Sequence, residues 1–245
     1  MHLLELTLPT AAENIALDEA LLDAAEAGGR PQETLRLWEA DAPLVVIGRA
    51  SAAAEVDLPI CRERGVSVLR RNSGGAAVAA GPGCWMYALV LSLETRPDLR
   101  MIDRAHQFAL GALADALNRA LPLPRVAPQG VSDLTLDGQV KFSGNSLRVC
   151  RTHLLYHGTL LYDFPLKMIA ELLRSPPRQP AYRAGRSHLD FVGNLPLSRA
   201  ATRSAVIDAW QAELSGEVGP PPDALARVAS LVREKYAQDE WNLQR

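Results

Sequence analysis

Residues 70–93 have the sequence RRNSGGAAVAAGPGCWMYALVLSL, in which two arginines precede a stretch rich in glycine and alanine and then an uninterrupted apolar run. The apolar run, residues 86–93, carries no charge and predicts a buried central strand. The preceding residues 66–71 predict another strand, which places Arg70 and Arg71 at its end. The stretch therefore predicts a loop of small residues between two strands of a sheet.

This loop has the composition of an anion-binding loop. Glycine lets backbone N–H groups approach a ligand closely, and arginine supplies planar, permanently charged donors. The spacing matches neither the P-loop nor the dinucleotide-binding fingerprint, and a strand follows the loop instead of a helix. Composition alone is compatible with a ligand loop and equally with tight sheet turns beside surface arginines.

Length and composition are those of an ordinary globular protein and exclude several function classes. The 245 residues are 48% hydrophobic and 22% charged, with a formal net charge of −2, whereas a general nucleic-acid binder would have a strong basic excess. No apolar run approaches the roughly 18 residues of a membrane-spanning helix, so neither nucleic acid nor a membrane is an expected partner. The three cysteines are far apart and form no CxxC pair, which favours a reducing compartment. Because the N-terminus also lacks a signal-peptide pattern, we expect a cytoplasmic protein.

Hydrophobic periodicity predicts helices around the sheet. Residues 103–121 repeat apolar side chains on one face, as an amphipathic helix does. Thr10 and Glu13 stand in capping-box register at the start of another helix, on which Asn14 and Asp18, four residues apart, are neighbours. Further helices are expected at 166–174, 202–215 and 222–237.

Strand patterns and turn residues complete the predicted architecture. Residues 131–149 predict a hairpin that turns near Asp137 and Gly138, and residues 153–164 predict a further strand. Strands mixed with helices, hairpins among them, predict an α+β fold, with a mixed β-sheet flanked by helices instead of regular βαβ winding. The remaining expectations are strands at 35–38 and 43–51, on either side of a turn, and a proline-rich loop at 176–185.

Few side chains outside the loop have chemistry of their own. Lys141 follows the predicted turn and can offer a point charge to a phosphate or carboxylate, although a lone lysine in a hairpin is more commonly solvated. His157, inside an apolar strand, is more typical of a hydrogen-bonded core residue than of a metal ligand. Cys84 and Cys150 lack a local activating partner and are expected to be small buried hydrophobes, and Ser73 lacks the GxSxG of serine hydrolases.

Taken together, these motifs resemble those of the lipoate–protein ligases and octanoyl/lipoyl transferases, which share a catalytic domain with biotin–protein ligases. NIALDEALL (14–22) and PLVVIGRAS (43–51) resemble the first-helix motif and the strand with a Gly-Arg turn that follows it. RRNSGGAAV (70–78) is similar to the family's Arg-Arg-x-Ser-Gly-Gly-Gly-Ala-Val. The other matches are DGQVKFSGNS (137–146) with the lysine motif, HGTLLYDF (157–164) with His-Gly-Thr-Leu-Leu, and KYAQDEWN (235–242) with the end of the ligase catalytic domain.

The resemblance implies a fold, an activity and a set of partners. The implied fold is that of the biotin/lipoate protein ligase catalytic domain, as a single domain over 1–245 that C-terminal helices from about 201 close. The implied activity is that of a lipoate–protein ligase. Such an enzyme activates lipoate or octanoate with ATP and Mg²⁺ as the acyl-adenylate and transfers the acyl group to a lysine of a lipoyl carrier-domain protein.

The resemblance also implies roles for individual residues. Lys141 corresponds to the family's lysine and is the implied catalytic residue, in contact with the acyl-phosphate oxygens. Arg70 corresponds to the arginine that lines the acyl and phosphate region, and Arg71 is its neighbour. No protein ligand for a metal ion is implied. The implied acyl-adenylate-binding residues are Arg70, Arg71, Ser73, Gly74, Gly75, Ala76, Ala77, Val78, Gly144, Asn145, His157, Gly158 and Thr159.

The sequence departs from the family pattern after the second glycine of the loop. Ala76 replaces the third glycine, Ala80 a histidine, Gly81 an aspartate and Cys84 an asparagine. Full-length ligases of one type carry an extra C-terminal domain after the motif at 235–242, which we expect to be missing here, so that either a separate accessory subunit supplies it or the protein only transfers acyl groups. An ATP-independent octanoyl/lipoyl transferase and a catalytically inert binding module are therefore the alternatives. The transferase type that uses a cysteine just before the lysine hairpin is disfavoured because residues 124–134 contain none.

Overall fold

The strands form two sheets in the computed structural model, which describes residues 1–28, 33–214 and 219–244. The pairing of β1 (His2–Glu5) with β2 (Thr34–Trp38) is parallel and the other pairings of the larger sheet are antiparallel, so this sheet is mixed, as predicted. In spatial order, the seven-stranded sheet contains β1 (His2–Glu5), β2 (Thr34–Trp38), β6 (Cys84–Ser92), β10 (His153–Leu161), β9 (Val140–Val149), β8 (Asp133–Leu136) and β7 (Val126–Gln129). The three-stranded sheet contains β4 (Ser67–Arg70), β3 (Leu44–Ile47) and β5 (Val78–Ala80).

The apolar run of the opening stretch forms the central strand β6, which is buried along its whole length. Successive side chains of a strand point to opposite faces of the sheet. Met86 and Val90 accordingly enter one apolar core, whereas Tyr87 and Leu91 enter a second core on the other face. Because both faces of β6 are apolar, each face needs a layer of helices to cover it.

Helices cover both faces of the large sheet. Helix α1 (Ala11–Glu26) packs with α7 (Pro222–Leu231) over the first core, and α3 (Ile102–Ala120) packs with α6 (Arg199–Trp210) over the second. Within the described residues, every helix is too short or too polar to cross a lipid bilayer. The helices are α1 (Ala11–Glu26), α2 (Leu58–Glu63), α3 (Ile102–Ala120), α4 (Leu166–Leu172), α5 (His188–Phe191), α6 (Arg199–Trp210), α7 (Pro222–Leu231) and α8 (Asp239–Asn242), with a π-helical turn at Val232–Tyr236.

The capping box predicted at the start of α1 is confirmed. The Glu13 N–H donates to Thr10 Oγ1 at 3.2 Å, and the Thr10 N–H donates to Glu13 Oε2 at 2.9 Å. These two bonds satisfy N–H groups that have no partner within the helix. They set the start of α1 and thereby place Asn14 and Asp18 on its buried side.

Some predicted elements form but end or pair differently. The two strands on either side of the turn at 39–43 are present as β2 and β3, but they belong to different sheets. The helix expected at 202–215 ends at Trp210, because Gln211 adopts a left-handed conformation with φ of 49°, and Ser215 lies outside the described residues. The unpredicted strand β7 contains a proline, which the edge of a sheet tolerates because no partner there needs its N–H.

Candidate functional site

A two-lobed cavity lies between the glycine loop of the small sheet and strands β9 and β10 of the large sheet. The first lobe has a volume of about 120 Å³ and the second about 100 Å³. Both lobes are lined by Ala76, Ala77, Val78, Lys141, Gly144 and Thr159. The two lobes therefore adjoin at Lys141, the catalytic residue that the family resemblance implies.

The structure brings most of the predicted site residues to this cavity. Besides the six shared residues, the first lobe is lined by Arg71, Gly75, Asn145, His157 and Gly158, all of them predicted. Three predicted residues, Arg70, Ser73 and Gly74, line neither lobe. What the cavity residues bind remains a prediction, but their convergence on one cavity is a property of the fold.

Arg70 was expected to line the acyl and phosphate region, but it lines neither lobe. Its fully buried side chain donates from Nη1 to the carbonyls of Gly48 and Ser51, both at 2.7 Å, and from Nε to the carbonyl of Trp241 at 3.0 Å. Neighbouring side chains on an extended chain point in opposite directions, so Arg70 and Arg71 diverge. Arg70 ties the Gly-Arg turn to the C-terminal segment, and Arg71 is the arginine that faces the first lobe.

Arg71 spans the glycine loop. Its guanidinium donates to the carbonyl of Gly74, and to those of Val46 and Ala76, both at 3.1 Å. Burial lowers the pKa of Arg71 to about 10, so the group stays positively charged at neutral pH. A Cβ on Gly75, which has φ of +87°, would lie 2.8 Å from Arg71 Nη2. Glycine is thus required here by the turn and by the guanidinium itself.

Lys141 forms an ion pair with a carboxylate that the sequence analysis did not identify. Its Nζ lies 2.7 Å from Asp133 Oδ1, and Asp133 Oδ2 accepts a hydrogen bond from the Tyr182 hydroxyl at 2.7 Å. Burial and then the negative charge of Asp133 raise the pKa of Tyr182 well above its ordinary value, so the phenol remains a neutral donor. A β-bulge between β8 and β9 lies beside Lys141, and such bulges re-aim side chains near functional sites.

Arg36 of β2 binds the two side chains that α1 places four residues apart. It is fully buried and donates from Nη1 to Asp18 Oδ1 and from Nη2 to Asn14 Oδ1, each at 2.6 Å. A buried charge needs such a partner because its desolvation is costly. Asp18 also lines the first lobe. The sequence predicted that Asn14 and Asp18 are neighbours, but it did not predict that both bind a buried arginine beside the cavity.

From Asp18 a chain of polar contacts continues to the glycine loop. Asp18 Oδ2 lies 3.4 Å from His157 Nδ1, and His157 Nε2 lies 2.5 Å from Ser73 Oγ. Ser73 Oγ accepts a hydrogen bond from Arg71 Nε at 3.1 Å. His157 is therefore a hydrogen-bonded residue in the cavity wall, and Ser73 contributes by fixing His157 and Arg71 from behind that wall.

Position 158 must be a glycine because Asn145 lies opposite it in the pairing of β9 with β10. A Cβ on Gly158 would lie 1.9 Å from Asn145 Oδ1. That oxygen accepts a hydrogen bond from the Tyr87 hydroxyl, and Asn145 Nδ2 donates to the Ser132 carbonyl at 2.8 Å. The glycine of the His-Gly-Thr motif thus makes room for a buried amide in the wall of the first lobe.

The cysteines lie away from the cavity. Cys61 and Cys84 are buried and Cys150 is partly exposed, and none of the three lines either lobe. Burial raises the pKa of the Cys84 thiol to about 12. A thiol in this state is a poor nucleophile at neutral pH.

The outer wall of the second lobe comes from residues 174–193, for which the sequence indicated little more than a loop. This segment is attached at both ends, because the Arg174 N–H donates to the Glu55 carbonyl and the Gly193 N–H to the Lys141 carbonyl, each at 2.9 Å. It contributes Arg183 and His188 to the lobe. Neither side chain stands in a recognisable motif, so sequence patterns could not identify them.

The fold and the lysine-centred cavity agree with the family that the motifs indicated. The chain belongs to the family of the lipoyl protein ligase A/B catalytic domain, whose sequence profile matches residues 10–215. The resemblance stated from the motifs is therefore confirmed.

Individual relatives include transferases. The chain is 33% identical over 168 residues to the mitochondrial lipoyl amidotransferase LIPT1 of Mus musculus, an alignment that covers 67% of this chain and 41% of the mouse protein. The chain thus spans less than half the length of that relative. It is 27% identical over 266 residues to the octanoyltransferase LipM of Brevibacillus brevis, covering 96% of this chain and 95% of LipM.

Among solved structures, a bi-partite lipoate protein ligase from Thermoplasma acidophilum has a similar fold. It superposes with a TM-score of 0.79 at 22% identity, and the match covers 99% of this chain and 95% of that one. The similarity confirms the predicted α+β fold of a lipoate protein ligase catalytic domain.

Proposed function

We propose that this chain is a lipoate–protein ligase domain that activates lipoate or octanoate with ATP and transfers the acyl group to a lysine of a lipoyl carrier domain. The observation that carries the proposal is the position of Lys141, where the two lobes adjoin. An acyl-adenylate has two parts, an acyl chain and a nucleotide, joined by a mixed anhydride. With one part in each lobe, that anhydride lies beside the lysine.

The first lobe suits the acyl chain. Ile15, Val46 and Met86 supply apolar surface, and Arg71 supplies a positive charge. Burying about six methylene groups at about 0.8 kcal/mol each stabilises the bound chain by roughly 5 kcal/mol. The length and apolar character of the substrate are therefore sufficient for recognition in this lobe.

Lys141 is proposed to act where negative charge accumulates. A carboxylate oxygen attacks the α-phosphorus of ATP, the new O–P bond forms, and the bond to pyrophosphate breaks. Both reactants are anionic, so a fixed ammonium at the anhydride lowers their repulsion. Mg²⁺ would enter bound to the phosphates of ATP and supply further charge neutralisation there. The carrier amine, once it has lost a proton, attacks the acyl carbonyl, and AMP leaves.

Asp133 is proposed to orient Lys141 in this reaction. Its carboxylate binds Nζ on one oxygen and the neutral Tyr182 hydroxyl on the other. The ion pair holds the ammonium at the junction before a ligand arrives, so little reorganisation accompanies binding.

The second candidate function is transfer between carrier proteins without ATP, which the names of the two relatives favour. A route through a cysteine thioester is opposed because none of the three cysteines lines either lobe and because the pKa of the Cys84 thiol is raised. Ala80 and Gly81, which replace the family's histidine and aspartate, line neither lobe. The position of the replacements is therefore compatible with an active site that is otherwise complete.

We further propose that the chain acts as a single catalytic domain and that a separate accessory subunit assists it. The Thermoplasma ligase is described as bi-partite and is named together with its lipoyl domain, which supports an accessory subunit and a lipoyl carrier partner. A cytoplasmic location stays a prediction.

The test is an acylation assay with the purified chain, lipoate, ATP, Mg²⁺ and a lipoyl domain. We expect pyrophosphate release and an increase in the mass of the lipoyl domain by one lipoyl group. Acylation from an acylated carrier protein in the absence of ATP would instead support the transferase. If neither reaction occurs, even with a candidate accessory subunit, the binding module remains.

A further inference from the structure

Arg183 is a buried cation in the wall of the second lobe. The residue is 3% exposed and lines the lobe. Its guanidinium carbon lies 4.9 Å from the centre of the Phe191 ring, and Nε donates to the Arg186 carbonyl at 2.9 Å. Nη2 is buried and has no hydrogen-bond partner in the part of the chain that the structure describes. A buried charged donor is costly when it is unpaired, and Arg183 lines the lobe, so its guanidinium favours an acceptor on a ligand held there.

Other basic side chains of the second lobe already have carboxylate partners. Lys141 binds Asp133 at 2.7 Å, and the more exposed Arg174 lies 3.7 Å from Asp57. For Arg183, no carboxylate of residues 1–28, 33–214 or 219–244 lies within ion-pair distance. Arg183 is therefore the cation of this lobe whose charge a ligand would neutralise.

The remaining titratable groups around the lobe do not compensate Arg183. The carboxylate of Glu55 lines the lobe but accepts its hydrogen bond from the Ala77 N–H at 3.1 Å. Burial lowers the pKa of His188, which keeps that ring neutral at pH 7. The guanidinium of Arg186 lies 5.3 Å from the centre of the same Phe191 ring and adds positive charge nearby. Arg183 and Arg186, on the same Phe191 ring, therefore concentrate positive charge at this part of the wall.

Most of the remaining wall is apolar, although Ser143 and Thr159 also line it. Phe142, Leu161, Ile169 and Leu173 line the second lobe. An apolar wall with one unpaired buried guanidinium suits a group that has a largely uncharged body and a phosphate. The fork of N–H donors on arginine matches the oxygens of a phosphate, and the contact with Phe191 fixes the plane of that fork.

We propose that Arg183 binds a phosphate ester of the acyl donor in the second lobe. The inference rests on the proposed function, because the second lobe receives the rest of the donor once the acyl chain fills the first. Two kinds of acyl donor carry such a phosphate. One is the acyl-adenylate made from ATP, and the other is an acyl group attached to the phosphopantetheine of a carrier protein.

The experiment is calorimetric titration of the full chain with ATP and with phosphopantetheine, beside adenosine and pantetheine as probes without phosphate. Arg183→Ala should weaken the phosphate ester that binds by about 10- to 100-fold, the factor expected for one hydrogen bond to a charged group, and should leave the phosphate-free probes unchanged. Arg183→Lys keeps the charge and loses the fork, so its loss should be smaller. Arg174→Ala, the matched control in the same lobe, should weaken binding by no more than about fivefold, because exposed ion pairs contribute little.

The possible results test the role of Arg183 separately from the proposed ATP-dependent acylation. Binding of ATP through Arg183 supports the inference with a nucleotide donor. Binding of phosphopantetheine alone through Arg183 supports the inference and contradicts the ATP-dependent activity. Unchanged affinity in Arg183→Ala and Arg183→Lys, an equal loss for ATP and adenosine, or no binding of either phosphate ester overturns the role of Arg183, whatever the acylation assay finds. Circular dichroism and lipoate binding check that each variant is folded.

Discussion

The two lobes of the cavity differ in how their walls are built and in how their charges are paired. The first lobe is walled by α1, β6, β9 and β10, and its buried carboxylate Asp18 is neutralised by Arg36 from β2. The second lobe has an outer wall made of a loop and a short helix, and it contains Arg183 without a carboxylate partner among the described residues. If Arg183 binds a phosphate as proposed, a ligand completes the charge pairing of the second lobe, whereas the Asp18–Arg36 pair of the first lobe is formed without one.

The largest effect should come from breaking the buried ion pair behind the first lobe. Asp18→Asn keeps the shape of the side chain and leaves Arg36 as a buried charge without its carboxylate, so the free energy of unfolding should fall by about 3–5 kcal/mol. Urea denaturation followed by circular dichroism measures it.

Asp23→Asn is the matched control on the same helix. Asp23 binds Arg227 at 2.9 Å in a largely exposed ion pair, so this change should cost less than about 1 kcal/mol. If the two variants lose the same stability, the first lobe does not depend on its buried pair.

The next effect concerns the junction of the lobes. Lys141→Ala removes the charge beside the proposed anhydride, so carrier acylation should fall by about 10²- to 10³-fold, as when one preorganised electrostatic group is lost. Mass spectrometry of the lipoyl domain measures the rate. Lys167→Ala, at an exposed position on α4, should leave acylation and folding unchanged. Full activity of Lys141→Ala would show that the positive charge at the junction of the two lobes takes no part in the reaction.

A steric test addresses the rigidity of the first lobe. Gly158→Ala introduces a Cβ at 1.9 Å from Asn145 Oδ1, so the free energy of unfolding should fall by about 1–3 kcal/mol as in other overpacked cores. Gly111→Ala, in α3 with open space around the new methyl group, should be neutral or stabilising by up to about 1 kcal/mol. Thermal unfolding distinguishes the two. If Gly158→Ala leaves the free energy of unfolding unchanged, the wall of the first lobe can shift to accommodate the added methyl group.

The smallest expected effect is that of thiol modification. A pKa raised to about 12 leaves almost no thiolate on Cys84 at pH 8, since the thiol deprotonates only as the pH approaches its pKa. Iodoacetamide should therefore modify the partly exposed Cys150 first, with carrier acylation unchanged. Peptide mapping locates the label. Loss of acylation upon alkylation would place a thiol in the reaction and favour the transferase.

Much of the architecture was accessible from local patterns. The charge-free run of residues 86–93 predicted the central strand β6, and the spacing of Thr10 and Glu13 predicted the start of α1. The hairpin turn at Asp137 and Gly138, both with positive φ, was predicted from residue types that favour such a turn. These features depend on backbone conformation and on residues close in sequence, which is why a pattern suffices.

The contents of the site were only partly accessible in this way. The motifs located Lys141 and the glycine loop, but they assigned both Arg70 and Arg71 to the cavity, and of these two only Arg71 lines it. They missed Asp133, because its partners Lys141 and Tyr182 come from other elements, and they missed Arg183, because it stands in no recognisable motif.

The sequence by itself therefore determined the class of fold, the central strand β6, the start of helix α1, and the motifs that identify the family. Tertiary structure decided which arginine lines the cavity, which carboxylate binds the lysine, and which cation of the second lobe has no carboxylate partner among the described residues. The physical reason is that local periodicity specifies which side chains share a face of an element. Only the packing of one element against another decides which face meets the cavity and which charges lie within a few ångströms of each other.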